Sequence, residues 1–245
     1  MSFHNTFEGA QFIAAIAEIA KENRLYLKVG TDFTEYFNLV SRYRPEQGLG
    51  LPFDPEYNRL SHENAFWIVG WNENGELVHT QALRLIDLSG LSLSSYMAEH
   101  FLDFPPTGLD LDFSRSRYNP GPRAKRIQGT VSYHGEFWLS GAYRNTGLSC
   151  ILARFALASA QLRWAPDYVI GFMPRPLAFK GLAEREGYMH SEPGCLYWHR
   201  ADTGKDLEGF MVWMGREDIR HLMTIPLSGL VRERVSVFQQ DDDAA

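Results

Sequence analysis

The chain has 245 residues, 44% of them hydrophobic and 13% aromatic, with a formal net charge of -6. That length suits one large domain or two small ones with a substantial core, and the acidic balance argues against a nucleic-acid partner. Two cysteines, Cys150 and Cys195, make no disulfide framework, and the apolar positions of residues 1–24 are interrupted by Glu8, Gln11, Glu18 and Lys21, so neither a signal peptide nor a membrane span is read there.

The expectation is a soluble, cytoplasmic protein. Residues 8–23 carry Phe12, Ile13, Ile16, Ile19 and Ala20 at the spacing of an amphipathic helix. "RLYLKVG" reads as a short strand. Asp32, three residues before Glu35, resembles a capping box that opens a second helix through Phe33, Tyr36, Phe37 and Val40. The Pro/Gly-rich "RPEQGLGLPFDPEYN" is a loop. "AFWIVGW" and "LVHTQALRLIDL" around "NENGE" predict a β-hairpin. A short helix follows over 92–103. Residues 104–128 read as irregular and hold a basic run with Arg115, Arg117, Arg123, Lys125 and Arg126.

From residue 130 the pattern sharpens. "TVSYHGEFWLSGA" reads as a strand. Residues 146–164 read as a helix that Pro166 stops, with Leu148, Ile151, Leu152, Phe155, Ser159 and Leu162 on one face. "DYVIGFM" is almost wholly apolar, as expected of a strand covered on both faces. A helix over 177–186 ends at Gly187 as its C-cap, and "GCLYWHR" and "LEGFMVWMG" give two more strands. No repeat or linker divides the chain. The reading is one α/β (α+β) domain over 1–240 with an acidic tail at 241–245.

Arg144-x-x-Gly147-x-Ser149 stands at a strand-to-helix corner. A helix N-terminus leaves about four N–H groups unpaired, and the macrodipole adds roughly half a positive charge. Glycine there lets a ligand come close to the backbone. Arg144, Asn145, Thr146, Gly147, Leu148 and Ser149 would then cradle an anion, phosphate above all. The alternative is an ordinary helix capped by Thr146 or Asn145. On the strand before it, period 2 puts His134, Glu136, Trp138 and Ser140 on one face. His190, Cys195 and His199 lack a metal-ligand spacing, so no metal is predicted.

The corner motif resembles the acyl-CoA motif of the GNAT superfamily of N-acetyltransferases, Arg/Gln-x-x-Gly-x-Gly/Ala, with Ser149 as a small substitute. The order of elements over residues 30–215 is similar too, and the specific part is 136–188. The resemblance implies a mixed, splayed central sheet flanked by helices. It implies acetyl-CoA or another acyl-CoA as co-substrate, held by main-chain groups at Leu139 and Gly141 and by the amides of Thr146 to Ser149. It implies direct attack of a small-molecule or peptide amine on the thioester, with Glu136 as the base and His134, farther from the thioester, as a second candidate. The family's tyrosine acid falls on Ala183 here, which leaves Tyr188, Tyr197 or water to protonate the thiolate.

Two departures open alternatives. A long insertion at about 88–128 exceeds ordinary connections. "ALRLID" and "LSSYMAEHF" are similar to stretches of acyl-homoserine-lactone synthases and N-acyl amino acid synthases, which take longer acyl chains from carrier proteins. Their Glu-x-Ser-Arg signature is not reproduced in "GEFWLSGAYR". On that reading the basic run meets the CoA 3′-phosphate or an acidic acyl carrier protein, whereas on its own terms it is a solvated loop. Ala183 also motivates a domain that binds acyl-CoA without turnover.

Overall fold

The computed structural model describes residues 3–231, and the acidic tail lies outside them. The chain opens with α1 (Phe3–Glu22), β1 (Tyr26–Gly30) and α2 (Phe33–Tyr43). Asp32 caps α2, its carboxylate accepting from the N–H of Thr34 at 2.9 Å and of Glu35 at 3.2 Å. Glu35 does not close a box; its carboxylate pairs with Lys28. The expected hairpin is β2 (Ala65–Trp71) and β3 (Leu77–Asp87). Its turn is pinned by Asn72, whose side-chain oxygen accepts from the N–H of Asn74 and of Glu76. After it come α3 (Leu93–His100), β4 (Leu111–Tyr118), β5 (Thr130–Leu139), α4 (Leu148–Trp164) and β6 (Tyr168–Pro174). The described chain closes with α5 (Arg175–Ala178), α6 (Leu182–Glu186), β7 (His190–Arg200), β8 (Asp206–Gly215) and α7 (Arg216–Leu222).

The strands form one eight-stranded mixed sheet in the order β1-β2-β3-β5-β6-β8-β7-β4. Only β5 and β6 run parallel, and they pair briefly: Val131, Ser132 and Tyr133 against Tyr168, Val169 and Ile170. Beyond that β5 stays with β3 as far as Leu139, and β6 stays with β8 as far as Pro174. The sheet therefore splays open at its middle, which is the mixed, splayed α/β arrangement expected of a GNAT-like fold.

Side-chain alternation explains why β2 reads as a continuous apolar run. Phe66 and Ile68 pack under α1 and α4 with Ile16, Ile151 and Leu152. Trp67 and Val69 pack on the other face with Tyr36, Val40 and Phe53. A further cluster joins residues 88–128 to the sheet, Met97, Phe104 and Ile127 lying on Ile170, Trp198 and Met211. No described helix is long and apolar enough to cross a membrane.

Two expectations are corrected, and one helix had no counterpart among them. Residues 104–128 are not wholly irregular, because β4 pairs antiparallel with β7 at the sheet edge. Its sequence, "LDFSRSRY", buries only Ser116, and Arg115 and Arg117 are the charges that keep an edge strand from pairing further. The helix expected over 177–186 is two pieces, broken between α5 and α6 where Gly181 takes φ 68°. Gly187, at φ 100°, does end α6 as expected. Finally, α7 has seven residues with only Ile219 and Leu222 buried, too few for a periodic signal.

Candidate active site

Where β5 and β6 part, a cavity of 440 Å³ opens between them. Its floor is β5 from Tyr133 to Trp138 and β6 from Gly171 to Pro174. Phe104, Pro105 and Leu109, from the segment between β3 and β5, line it as well.

Glu136 is set by a bulge. The β3 register shifts between Thr80 and Ala82, and Glu136 takes φ 57°, a left-handed conformation rare for glutamate. The bulge reverses the alternation. Tyr133 packs with Phe53 on the α2 side, and Glu136 and Trp138 lie on that side too, around Arg44. His134 lies on the opposite face with Phe137. The expected single face for His134, Glu136 and Trp138 is thus corrected: an extra residue shifts the period by one.

The Glu136 carboxylate is fully held. Oε2 meets Arg44 Nη1 at 3.3 Å, with both side chains less than a tenth exposed. Oε1 accepts from the Gly50 N–H at 2.9 Å. Arg44 also donates to Thr80 Oγ1 at 2.7 Å and to Gln47, and the Thr80 hydroxyl donates to the Glu136 carbonyl at 3.0 Å. Burial pushes the carboxyl above its ordinary range, and Arg44 pulls it back. The result is a shielded carboxylate at the cavity wall.

Tyr188 and His134 form a directed chain. Gln81 Nε2 donates to the Leu152 carbonyl at 2.8 Å, so its Oε1 accepts from His134 Nε2 at 3.0 Å. Burial holds His134 down at about 4, so the ring is neutral and Nδ1 is an acceptor. The Tyr188 hydroxyl, 2.9 Å away, therefore donates to it. Burial pushes that phenol well above its ordinary value. Tyr188 sits at the point of splay, its oxygen close to Gly171.

Ala183 is buried with Leu157, Tyr188 and Ile219 and does not line the cavity. Leu182 and Glu186, one turn apart on α6, do. Glu186 is buried, none of the described residues hydrogen-bonds to its carboxyl, and burial pushes it up to about 8. Tyr197 lies under the Arg117 guanidinium, outside the cavity lining.

The Arg144 corner is built from turns. Leu139 ends β5, Gly141 to Tyr143 make one 3-10 turn, and Asn145 and Gly147 both take positive φ before α4 begins at Leu148. Arg144 Nε donates to the Leu139 carbonyl at 3.0 Å, so that acceptor is already engaged. Thr146 Oγ1 donates to the Tyr143 carbonyl and accepts from the Leu148 N–H at 3.3 Å. The N–H groups of Asn145, Thr146, Gly147 and Ser149 find no hydrogen-bond partner among the described residues. Gly147 itself is required by the fold: φ is 88°, and a Cβ there would collide with the Leu230 carbonyl. The chain after α7 thus crosses the flank of the corner, with Leu227, Leu230 and Val231 packed on the α1–α4 core.

Sequence reasoning missed Arg44, Gly50 and Glu186. Arg44 and Gly50 lie in what reads as a plain loop, and nothing local announces a partner 92 residues away. Glu186 did leave a signal. It is the acid spaced four residues after Leu182, on the buried face of a helix just before its glycine cap.

Neither a family model nor a curated protein matches the sequence. Solved structures do match. The Arabidopsis thaliana NAA60 in complex with acetyl-CoA shares 10% identity over 78% of this chain and 98% of that one, with a TM-score of 0.45. FeeM, an N-acyl amino acid synthase from uncultured soil microbes, shares 11% over 81% and 94%, at 0.48. The spermidine/spermine N-acetyltransferase SpeG from Vibrio cholerae shares 8% over 81% and 98%, at 0.46. These are proteins to which the chain is similar in fold alone.

Proposed function

We propose that the protein is an N-acyltransferase that moves an acyl group from acyl-CoA to an amine. The observation that carries this reading is the parting of β5 and β6 beside a buried carboxylate, Glu136, with open main-chain N–H groups at the end of the same strand. The thioester would lie in the gap and the pyrophosphate at the first turn of α4. The amine nitrogen attacks the thioester carbonyl carbon, and Glu136 takes its proton directly or through water. Arg44 and Gly50 aim Glu136 and favour its ionised form against burial. A cytoplasmic setting and a small-molecule or peptide amine belong to the same proposal.

One observation favours longer acyl groups over acetyl. Phe104, Leu109, Phe172, Leu196 and Trp198 make much of the cavity wall apolar. A carrier-bound donor would bring its acidic surface to the basic residues of the insertion, Arg115 and Arg117 among them.

Calorimetric titration with CoA, acetyl-CoA and a long-chain acyl-CoA tests both readings. Micromolar binding is expected, with the longer chain preferred if the apolar wall holds it. Ser149→Glu places a carboxylate in the first turn of α4, where the dipole favours it for folding but where it repels phosphate. It should weaken CoA binding at least about tenfold, a cost of ~1.4 kcal/mol, with folding intact. No binding by the unaltered protein, or equal binding by the variant, would return the corner to an ordinary helix start.

A further inference from the structure

Acyl transfer leaves a proton to be supplied. As the C–N bond forms and the C–S bond breaks, the thiolate must be protonated or leave as a poor, charged product. Tyr188 lines the cavity, but its proton is committed to His134 Nδ1, and that acceptor is fixed by Gln81 and Leu152. A phenol held above its ordinary value also gives its proton to a thiolate only uphill. Ala183 offers no proton and faces the core.

We propose that Glu186 is the proton donor to the departing thiolate. The inference rests on the N-acyltransferase reading and assigns its missing acid. Glu186 shares the cavity-lining face of α6 with Leu182, is 4% exposed, and has no hydrogen-bond partner among the described residues. A carboxyl in that setting stays neutral near pH 7 and keeps a proton to give, and its position at about 8 lies close to that of a thiol. The charged and titratable groups around it do not undo this. Arg185 is on its own helix. Arg154 of α4 donates its Nη1 to the carbonyls of Cys150 and Arg185, and its charge and that of Arg185 pull the carboxyl down, but burial outweighs both. His134 is neutral, Tyr133 and Tyr188 are neutral phenols, and Glu136 and Glu208 of the cavity lining are paired with Arg44 and Arg175.

The proton balance closes. The nitrogen's proton goes to Glu136 and the Glu186 proton goes to sulfur. Amide and free CoA thiol leave, and a proton passes through solvent from Glu136 to Glu186 to restore both.

The test compares the unaltered protein with Glu186→Gln, in kcat and KM across pH, with thiol release as readout. The variant should lose about 10²–10⁴-fold in kcat with little change in KM. The unaltered protein's alkaline limb near pH 8 should be absent from the variant. An aryl thioester of the same acyl group, whose thiolate leaves without a proton, should shrink the variant's deficit; a merely structural role would leave the deficit equal for both donors. Equal kcat and an unchanged alkaline limb in Glu186→Gln, or an equal deficit with the aryl thioester, would overturn the role of Glu186 and leave the N-acyltransferase reading standing. If the unaltered protein binds no acyl-CoA and releases no thiol, both fall together.

Discussion

Glu136 and Glu186 look into one cavity, the first from β5 and the second from α6, and their surroundings differ in one respect. Glu136 has a guanidinium and a main-chain N–H on its two oxygens. Glu186 has neither among the described residues; Arg185 lies on its own helix, and Arg154 gives its Nη1 to two carbonyls. Burial raises both, but only Glu136 has hydrogen-bond partners on its oxygens that pull it back. The difference sets a carboxyl drawn toward its charged form apart from one left without such partners, and so fits the first as proton acceptor and the second as proton donor.

The comparison can be broken hardest at Arg44. Arg44→Met removes one member of a buried pair and leaves Glu136 uncompensated. Urea unfolding should show a loss of about 3–5 kcal/mol. The acid limb of the pH–rate profile should also move to higher pH, because the Glu136 carboxyl loses what pulls it down. An unchanged acid limb would mean that Glu136 is not the group that titrates.

The next effect runs the other way. The folded Glu186 carboxyl holds its proton up to about pH 8, against an ordinary value of 4.5. Above pH 4.5 the unfolded chain releases that proton while the folded one keeps it, so stability falls as pH rises toward 8. Glu186→Gln removes this slope. Between pH 5 and 8 the unaltered protein should lose on the order of 3–4 kcal/mol relative to the variant. Denaturant melts at the two pH values read it directly, and parallel slopes would place Glu186 in a wetter setting than described.

The smallest effect belongs to Tyr188. Tyr188→Phe strands the His134 Nδ1 acceptor without its donor, which should cost about 1–3 kcal/mol of stability. With Glu186 as acid, kcat should stay within about twofold; a large loss in kcat at intact folding would hand the donor role back to Tyr188.

Much of the frame was legible because it rests on strong local signals. The hairpin of β2 and β3, the long α4, the apolar β6 and the glycine cap after α6 all obey period and turn chemistry. The corner motif was legible for the same reason, though Gly147 turns out to answer to its own φ and to Leu230. The chemistry inside the cavity was less legible. No sequence rule places a glutamate at φ 57°, so the bulge that turns Glu136 away from His134 could not be read from alternation. Arg44 reaches Glu136 across 92 residues, a pairing set by how α2 packs on the sheet. β4 hid because an edge strand carrying Arg115 and Arg117 looks like a solvated loop.

Leu230 ties the tail of the described chain to the corner where phosphate is proposed to bind. Its carbonyl lies on Gly147, and Leu227 and Val231 are anchored on the same α1–α4 surface. Cutting the chain before Leu227 would therefore bare apolar surface and free the flank of the corner in one stroke. The stretch from Leu227 to Val231 works as a mooring line made fast at the mouth of a harbour: slacken it, and the berth changes shape.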